Sequence, residues 1–229
     1  MVRRFKSLWP EMNIVKIKEI FIKEVTVEFR QKFAVGGIFL FAATTVFMIF
    51  KSFNQINPRE WTILIWIIML FAGLNAVVKS FLQEKKETYL YYYTLFDPID
   101  LILAKLLYNF VFLCLIFLSI LIFLGIFSGF PVKDISLFIV GSLAGIFGIA
   151  VVFTFVSVIS ATDNSNSTLM SILALPLVLP IVLLLLKISA VSVRLLIDTA
   201  VMQDVYLLLG VDSILFGAMI LLFPALWKS

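Results

Sequence analysis

Residues 106–132 read LLYNFVFLCLIFLSILIFLGIFSGFPV, a stretch without one charged side chain. The hydrocarbon core of a bilayer is crossed by about 20 apolar residues in helical form. Within it no water satisfies backbone N–H and C=O groups, so a segment that bonds to itself, the α-helix, is the default solution. The stretch therefore predicts one membrane-spanning helix and a turn. Ile135–Thr162 is of the same kind. Phe33–Phe50, between Lys32 and Lys51, and Trp61–Val78, between Glu60 and Lys79, are shorter versions. Asn164–Leu186 begins polar and becomes a span near Ser167, and Val205–Trp227 carries one charge, Asp212. Six transmembrane helices in an all-α integral membrane fold are expected. Composition agrees, with 62% hydrophobic and 14% charged residues. Soluble domains run near 45–50% and 25%, and disorder requires low hydrophobicity.

The formal charge of +4 is confined to one place. The first 32 residues hold eight Lys or Arg and four Asp or Glu, and the rest of the chain holds ten of each. A basic segment beside a first span reflects the retention of positive charge on the cytoplasmic side, where anionic lipid attracts it. Nucleic acid is not the expected partner. With the N-terminus inside, twelve basic residues lie on the cytoplasmic side. Five, namely Lys51, Arg59, Lys133, Lys187 and Arg194, lie outside. The split predicts cytoplasmic N- and C-termini. No apolar h-region of a cleaved signal follows Arg3, Arg4 and Lys6 before Glu11.

Two regions divide the chain: 1–32, a cytoplasmic amphipathic helix, and 33–229, the membrane domain with a cytoplasmic loop at 80–99. Between about Met12 and Lys32, Ile14, Ile17, Phe21, Val25 and Phe29 recur at helical spacing. Lys16, Glu19, Lys23 and Arg30 fall on the other face. Such a helix is expected to lie in the cytoplasmic interface; its polar face either stays in solvent or docks a partner. The 80–99 loop mixes Gln83, Glu84, Lys85, Lys86 and Glu87 with Tyr89, Tyr91, Tyr92 and Tyr93, then Asp97 and Pro98. It reads equally as an interfacial aromatic belt or as a short helix offering a knob to a partner.

Polar groups inside the spans are few. Asn75 and Asn109 are candidates for bonds across helices. Lys105 is expected to snorkel to the cytoplasmic interface, and Asp212 to occupy a helix end near the outer interface. Gly141, Gly145 and Gly148 include a GxxxG step that lets helices approach closely. Helix packing is the first reading and a homodimer seam the second. Pro176 and Pro180 are expected to bend or break the fifth span and to turn it toward the protein interior or a cavity. Lys187–Asp204 is expected to form a short helix dipping into the outer interface.

Histidine is absent and Cys114 is the single cysteine. HExxH zinc sites, Ser-His-Asp triads and bis-histidine haem are thereby excluded, as is an intrachain disulfide. No GxxxxGK[ST] phosphate loop is present. The chain offers a membrane scaffold without an engine, and no catalytic or metal-binding residue is assigned. An engine in another subunit is the simplest reading.

Four segments carry a resemblance over nearly the whole chain. They are Phe21-Ile22-Lys23-Glu24-Val25-Thr26-Val27-Glu28-Phe29-Arg30; Ser80-Phe81-Leu82-Gln83-Glu84; Pro98 with Lys105, Tyr108 and Asn109; and Leu173-Ala174-Leu175-Pro176-Leu177 with Pro180. In their order and spacing the chain resembles the cytochrome c maturation protein B (haem exporter protein B) family, the permease subunit of an ABC transporter, with an ABC-2-exporter-like fold. The family often has an Asp-Gly pair shortly after the acidic residue of the second segment, where Lys85-Lys86-Glu87 stands here. The resemblance implies a bacterial inner-membrane subunit, not itself an enzyme, that pairs as a homodimer with two copies of a separate ATPase. It also implies a haem-handling membrane subunit and a small membrane subunit as further partners. ATP would be bound by the partner, and haem would be cargo of the complex rather than a ligand of this chain. The helix face with Lys16, Lys23 and Arg30, and the loop with Gln83, Glu84, Lys85, Lys86, Glu87, Tyr91 and Asp97, would touch the ATPase. ATP hydrolysis would drive release of a haem-loaded periplasmic chaperone. The alternative within the same mechanism is an exporter permease for another lipid, glycan or drug substrate.

Overall fold

The charge-free runs become long helices in the computed structural model, which describes residues 14–30, 32–53, 55–82, 97–162 and 167–227. Seven helices lie among the described residues: α1 (Ile14–Arg30), α2 (Lys32–Ser52), α3 (Pro58–Leu82), α4 (Pro98–Ser128), α5 (Ile135–Thr162), α6 (Ser167–Ser192) and α7 (Val201–Trp227). No strand occurs among them. Five, α3 to α7, are long and apolar enough to cross a membrane. The apolar part of α2, Gly36–Ser52, is 17 residues long and falls short of that measure.

α5 is the axle. It touches α3, α4, α6 and α7, and 61% of its most apolar window is buried, against 22% for α7. Its glycines explain the position. A methyl group on Gly141 would come within 2.6 Å of Ile188 Cγ2, and one on Gly145 would overlap the Leu185 side chain. Between apolar helices in lipid there is no hydrophobic drive, so association rests on close packing and cross-helix hydrogen bonds. Both are present. Asn109 Nδ2 on α4 donates to Thr154 Oγ1 on α5 at 2.8 Å, and Trp66 Nε1 on α3 donates to Ser189 Oγ on α6 at 2.9 Å. The glycine step thus faces α6 of the same chain.

The turns at one end of the bundle are tied together. Gly129 ends α4 at φ 78°, a left-handed value that favours glycine. The Ser192 carbonyl accepts the amides of Lys133 and Asp134, each at 3.0 Å. Asp134 accepts the Leu137 amide and caps α5. Lys187 Nζ lies 3.2 Å from Asp198 Oδ2 and 2.8 Å from Asp204 Oδ2. The Ala200 amide and then the Lys187 ammonium lower the pKa of Asp198, which sits in the turn. These pairs correct the expected short helix at Lys187–Asp204. α6 continues through Lys187 to Ser192, a turn follows, and α7 begins at Val201.

α6 also runs unbroken through Pro176 and Pro180, contrary to a break at that point. Both prolines are exposed, as are Ile172, Leu175 and Leu179, while Ala174, Val178 and Ile181 are buried. The proline face therefore points out of the bundle and not into an interior cavity.

Filling the α5–α6 seam tests this packing. Gly145→Ala should destabilise the protein by about 1–3 kcal/mol, the range for overpacked sites. Gly145→Ala with Leu185→Ala should be more stable than the two single effects predict by addition. Thermal unfolding in mild detergent measures both; simple additivity would mean the seam tolerates a side chain.

Candidate functional site

At the end of the bundle where α4 begins, α1 and α4 form a clamp. On α1, Ile17, Ile20, Phe21 and Val25 pack into the core, with Ile20 only 2% exposed. These residues are one stripe at helical spacing. Glu24 lies on the same stripe and is buried with them. Its Oε1 is 3.9 Å from Lys105 Nζ on α4, with side chains 7% and 4% exposed, and 3.4 Å from Lys23 Nζ. One end of the clamp is closed by Lys16 Nζ and Asp97 Oδ2 at 3.8 Å. Lys16 precedes Glu24 by the same eight residues that separate Asp97 from Lys105. Equal spacing in the same chain direction means that α1 and the start of α4 run parallel and in register.

This geometry corrects one expectation. On α1, Ile17, Ile20, Phe21 and Val25 pack on α4 and the core, while Ile14, Val15, Ile22 and Val27 stay exposed. Lys105 does not snorkel to an open interface: α1 covers it and supplies a carboxylate. The site loses its symmetry when magnitudes are compared. Exposed pairs such as Lys16–Asp97, with side chains 38% and 40% exposed, contribute about 0–1 kcal/mol. Removing one member of a buried pair costs more, up to about 3–5 kcal/mol where the other charge keeps no partner. Glu24–Lys105 therefore dominates.

Of the other residues singled out in the sequence, Arg30 ends α1 and is exposed, as are Lys18 and Glu19 further back on the helix. Gln83, Glu84, Lys85, Lys86, Glu87 and Tyr91 lie outside the described residues. They fall between Leu82, the end of α3, and Asp97, the residue before α4. Asn109 makes its expected bond. Asn75 is exposed on α3, at the end of an exposed row formed by Ile63, Ile67 and Phe71, and bonds to no described residue. Gly148 differs from the other two glycines, because its missing side chain makes room for a carboxylate. A methyl group there would overlap Asp212 Oδ1, lie 2.8 Å from its Cγ and 3.0 Å from Ile181 Cδ1. Asp212 is thus not at a helix end but inside α7, 2% exposed.

Glu24 and Asp212 are the residues missed as site candidates. Glu24 had a signal, a carboxylate on the apolar stripe of an amphipathic helix. Asp212 had one too, a lone charge within a long apolar run. No group of three or more His, Cys, Asp or Glu among the described residues could hold a metal ion. The site holds two helices in register through one buried and one exposed ion pair.

A family model described as CcmB protein matches residues 15–224, from the start of α1 nearly to the end of α7. No curated protein matches the chain.

The clamp predicts that Glu24→Ala and Lys105→Ala each destabilise the protein by about 1–3 kcal/mol, since each removes one partner of a buried charge while Lys23 still lies beside Glu24 in the second variant. Lys16→Ala should cost less than about 1 kcal/mol. Glu24→Leu with Lys105→Met should recover most of the loss, since an apolar pair leaves no buried charge. Unfolding in detergent ranks the four variants, and equal losses for Lys16→Ala and Glu24→Ala would refute the ranking.

Proposed function

The chain belongs to the CcmB protein family, the ABC permease family of cytochrome c maturation, and on that premise we propose that it couples ATP hydrolysis in a partner subunit to movement of its membrane helices. The output of that movement is release of a haem-loaded chaperone on the periplasmic side. The observation that supports this reading best is the α1–α4 clamp. The segment between Leu82 and Asp97 enters α4 where Lys16 and Glu24 hold α1. A push on that segment reaches α1 and α4 together. The contact face for the ATPase combines the exposed side of α1 around Arg30 with Gln83, Glu84, Lys85, Lys86, Glu87 and Tyr91.

In this reading the membrane is the bacterial inner membrane, crossed six times with both termini in the cytoplasm. α2 is the remaining span: its 21 residues reach about 31 Å at 1.5 Å each, close to the hydrocarbon thickness. The functional unit is a homodimer. Pro176 and Pro180 leave the carbonyls of Ile172 and Pro176 without their usual helix donors, on a face exposed in the single chain. Bare backbone groups are not tolerated against lipid, which favours a second copy covering this face. We place haem ligation in another membrane subunit, since without histidine this chain could offer only Met, Tyr or its single Cys as axial ligands. A haem-handling subunit and a small membrane subunit complete the assembly, and this chain carries no catalysis.

Purifying the tagged chain from its native membrane in mild detergent should bring down an ATPase and a haem-handling subunit. Recovery of the chain alone, active in transport by itself in liposomes, would sink the proposal. Charge reversal at Glu84 and Glu87 should weaken ATPase association while membrane insertion stays normal. Unchanged association would reduce this segment to an interfacial belt.

A further inference from the structure

We propose that Asp212 is an intramembrane proton-binding site, in which the protonated carboxyl lets α7 close against α5 at Gly148 and loss of the proton releases α7. The assignment stands on position and surroundings. Gly148 is about 20 Å from either end of α5, and Asp212 about 17 Å and 22 Å from the ends of α7, at 1.5 Å per residue. The carboxyl is therefore deep in the span. It is 2% exposed, and neither oxygen has a hydrogen-bond partner. It fills the notch that glycine leaves in α5, with Ile181 of α6 against the same notch.

Nothing charged in the packed helices serves as a counter-ion. α5 carries no ionisable side chain over its whole length. α6 carries only Lys187, which is held by Asp198 and Asp204. Asp204, on α7 itself, is two turns from Asp212, about 12 Å along the helix. Tyr206, the other ionisable group of α7, is exposed. On α4 the ionisable groups are Asp100, Lys105, Tyr108 and Cys114, and Lys105 is paired with Glu24. An ionised carboxylate in such a place is costly and needs a partner or water. A neutral acid needs far less. Closure of the α5–α7 seam and retention of the proton are then one equilibrium.

The linkage has a definite slope. If the closed seam holds one proton that the open seam releases, opening increases about tenfold for each pH unit above the titration point. The reading does not depend on ATPase coupling, since it concerns one chain in a bilayer.

The test uses the full chain in lipid. Infrared spectra of wild type minus Asp212→Asn should show a protonated-carboxyl C=O band that disappears as pH is raised. Amide hydrogen exchange along α7, corrected for its intrinsic pH dependence, should rise in step by about tenfold per pH unit. Asp212→Asn and Asp212→Leu should both exchange slowly and without that pH dependence; the second variant stands in if the first does not fold. Absence of the carboxyl band at every pH where the protein is folded would overturn the proposal. So would a band that titrates while α7 exchange stays flat.

Discussion

The rest of the structure depends on how closely α5 is approached by its neighbours. Its three glycines leave a groove where Ile188, Leu185, Ile181 and Asp212 fit. Apolar helices dissolved in lipid gain little from meeting one another unless they gain van der Waals contact or hydrogen bonds. A residue without a side chain supplies the first, because the facing side chain reaches the backbone. Three such residues on one helix give it two partners at once, α6 and α7. With α5 fixed in the middle, α4 and α3 close the other sides and place Asn109 opposite Thr154 and Trp66 opposite Ser189. The hydrogen bonds select register. The glycines set the distance at which those bonds become available.

The spans were legible because charge interrupts apolar runs, and that rule failed wherever a charge is neutralised by a partner from elsewhere in the chain. Lys187 did not end α6, because Asp198 and Asp204 hold its ammonium. Asp204 did not delay α7 to Val205, for the same reason. Lys105 was assigned to an interface, and Glu24 made it a buried residue. Asp212 was assigned to a helix end because sequence shows that a charge is present but not which face it occupies. Gly148, the residue that makes room for it, lies far away in the chain. Each miss is a long-range pairing, which periodicity within one segment cannot report.

The proline pair shows the same limit from the other side. Local rules for Pro176 and Pro180 say that two backbone donors are lost, and that holds. They do not say where the chain will tolerate the loss. A buried position would have placed bare carbonyls among Ala174, Val178 and Ile181, which have no donor side chains. On the exposed face the same carbonyls remain open to a group from outside the chain, and α6 stays helical throughout. The direction of the proline face was decided by what the other face had to fill, namely the groove in α5.

The clamp between α1 and α4 follows from the length of α4. Its 31 residues extend about 46 Å, while the hydrocarbon core is about 30 Å thick. Upright, α4 would extend about 16 Å beyond the core, and tilt would shorten that excess without removing it. Phe127, near the far end of α4, meets Phe47 and Phe50 of α2, while α1 lies along the first turns. α1 and α2 thus follow α4 from one end to the other. The extra length would expose Lys105 and the apolar residues around it if nothing covered them. α1 covers them with an apolar stripe that carries one acid at the matching level. Between Pro98 and Gly125, α4 has neither proline nor glycine, so it is stiff where it leaves the bilayer. In the coupling proposed above, a displacement at Asp97 would be carried along the helix to Asn109 and Thr154 at the α5 interface rather than absorbed on the way.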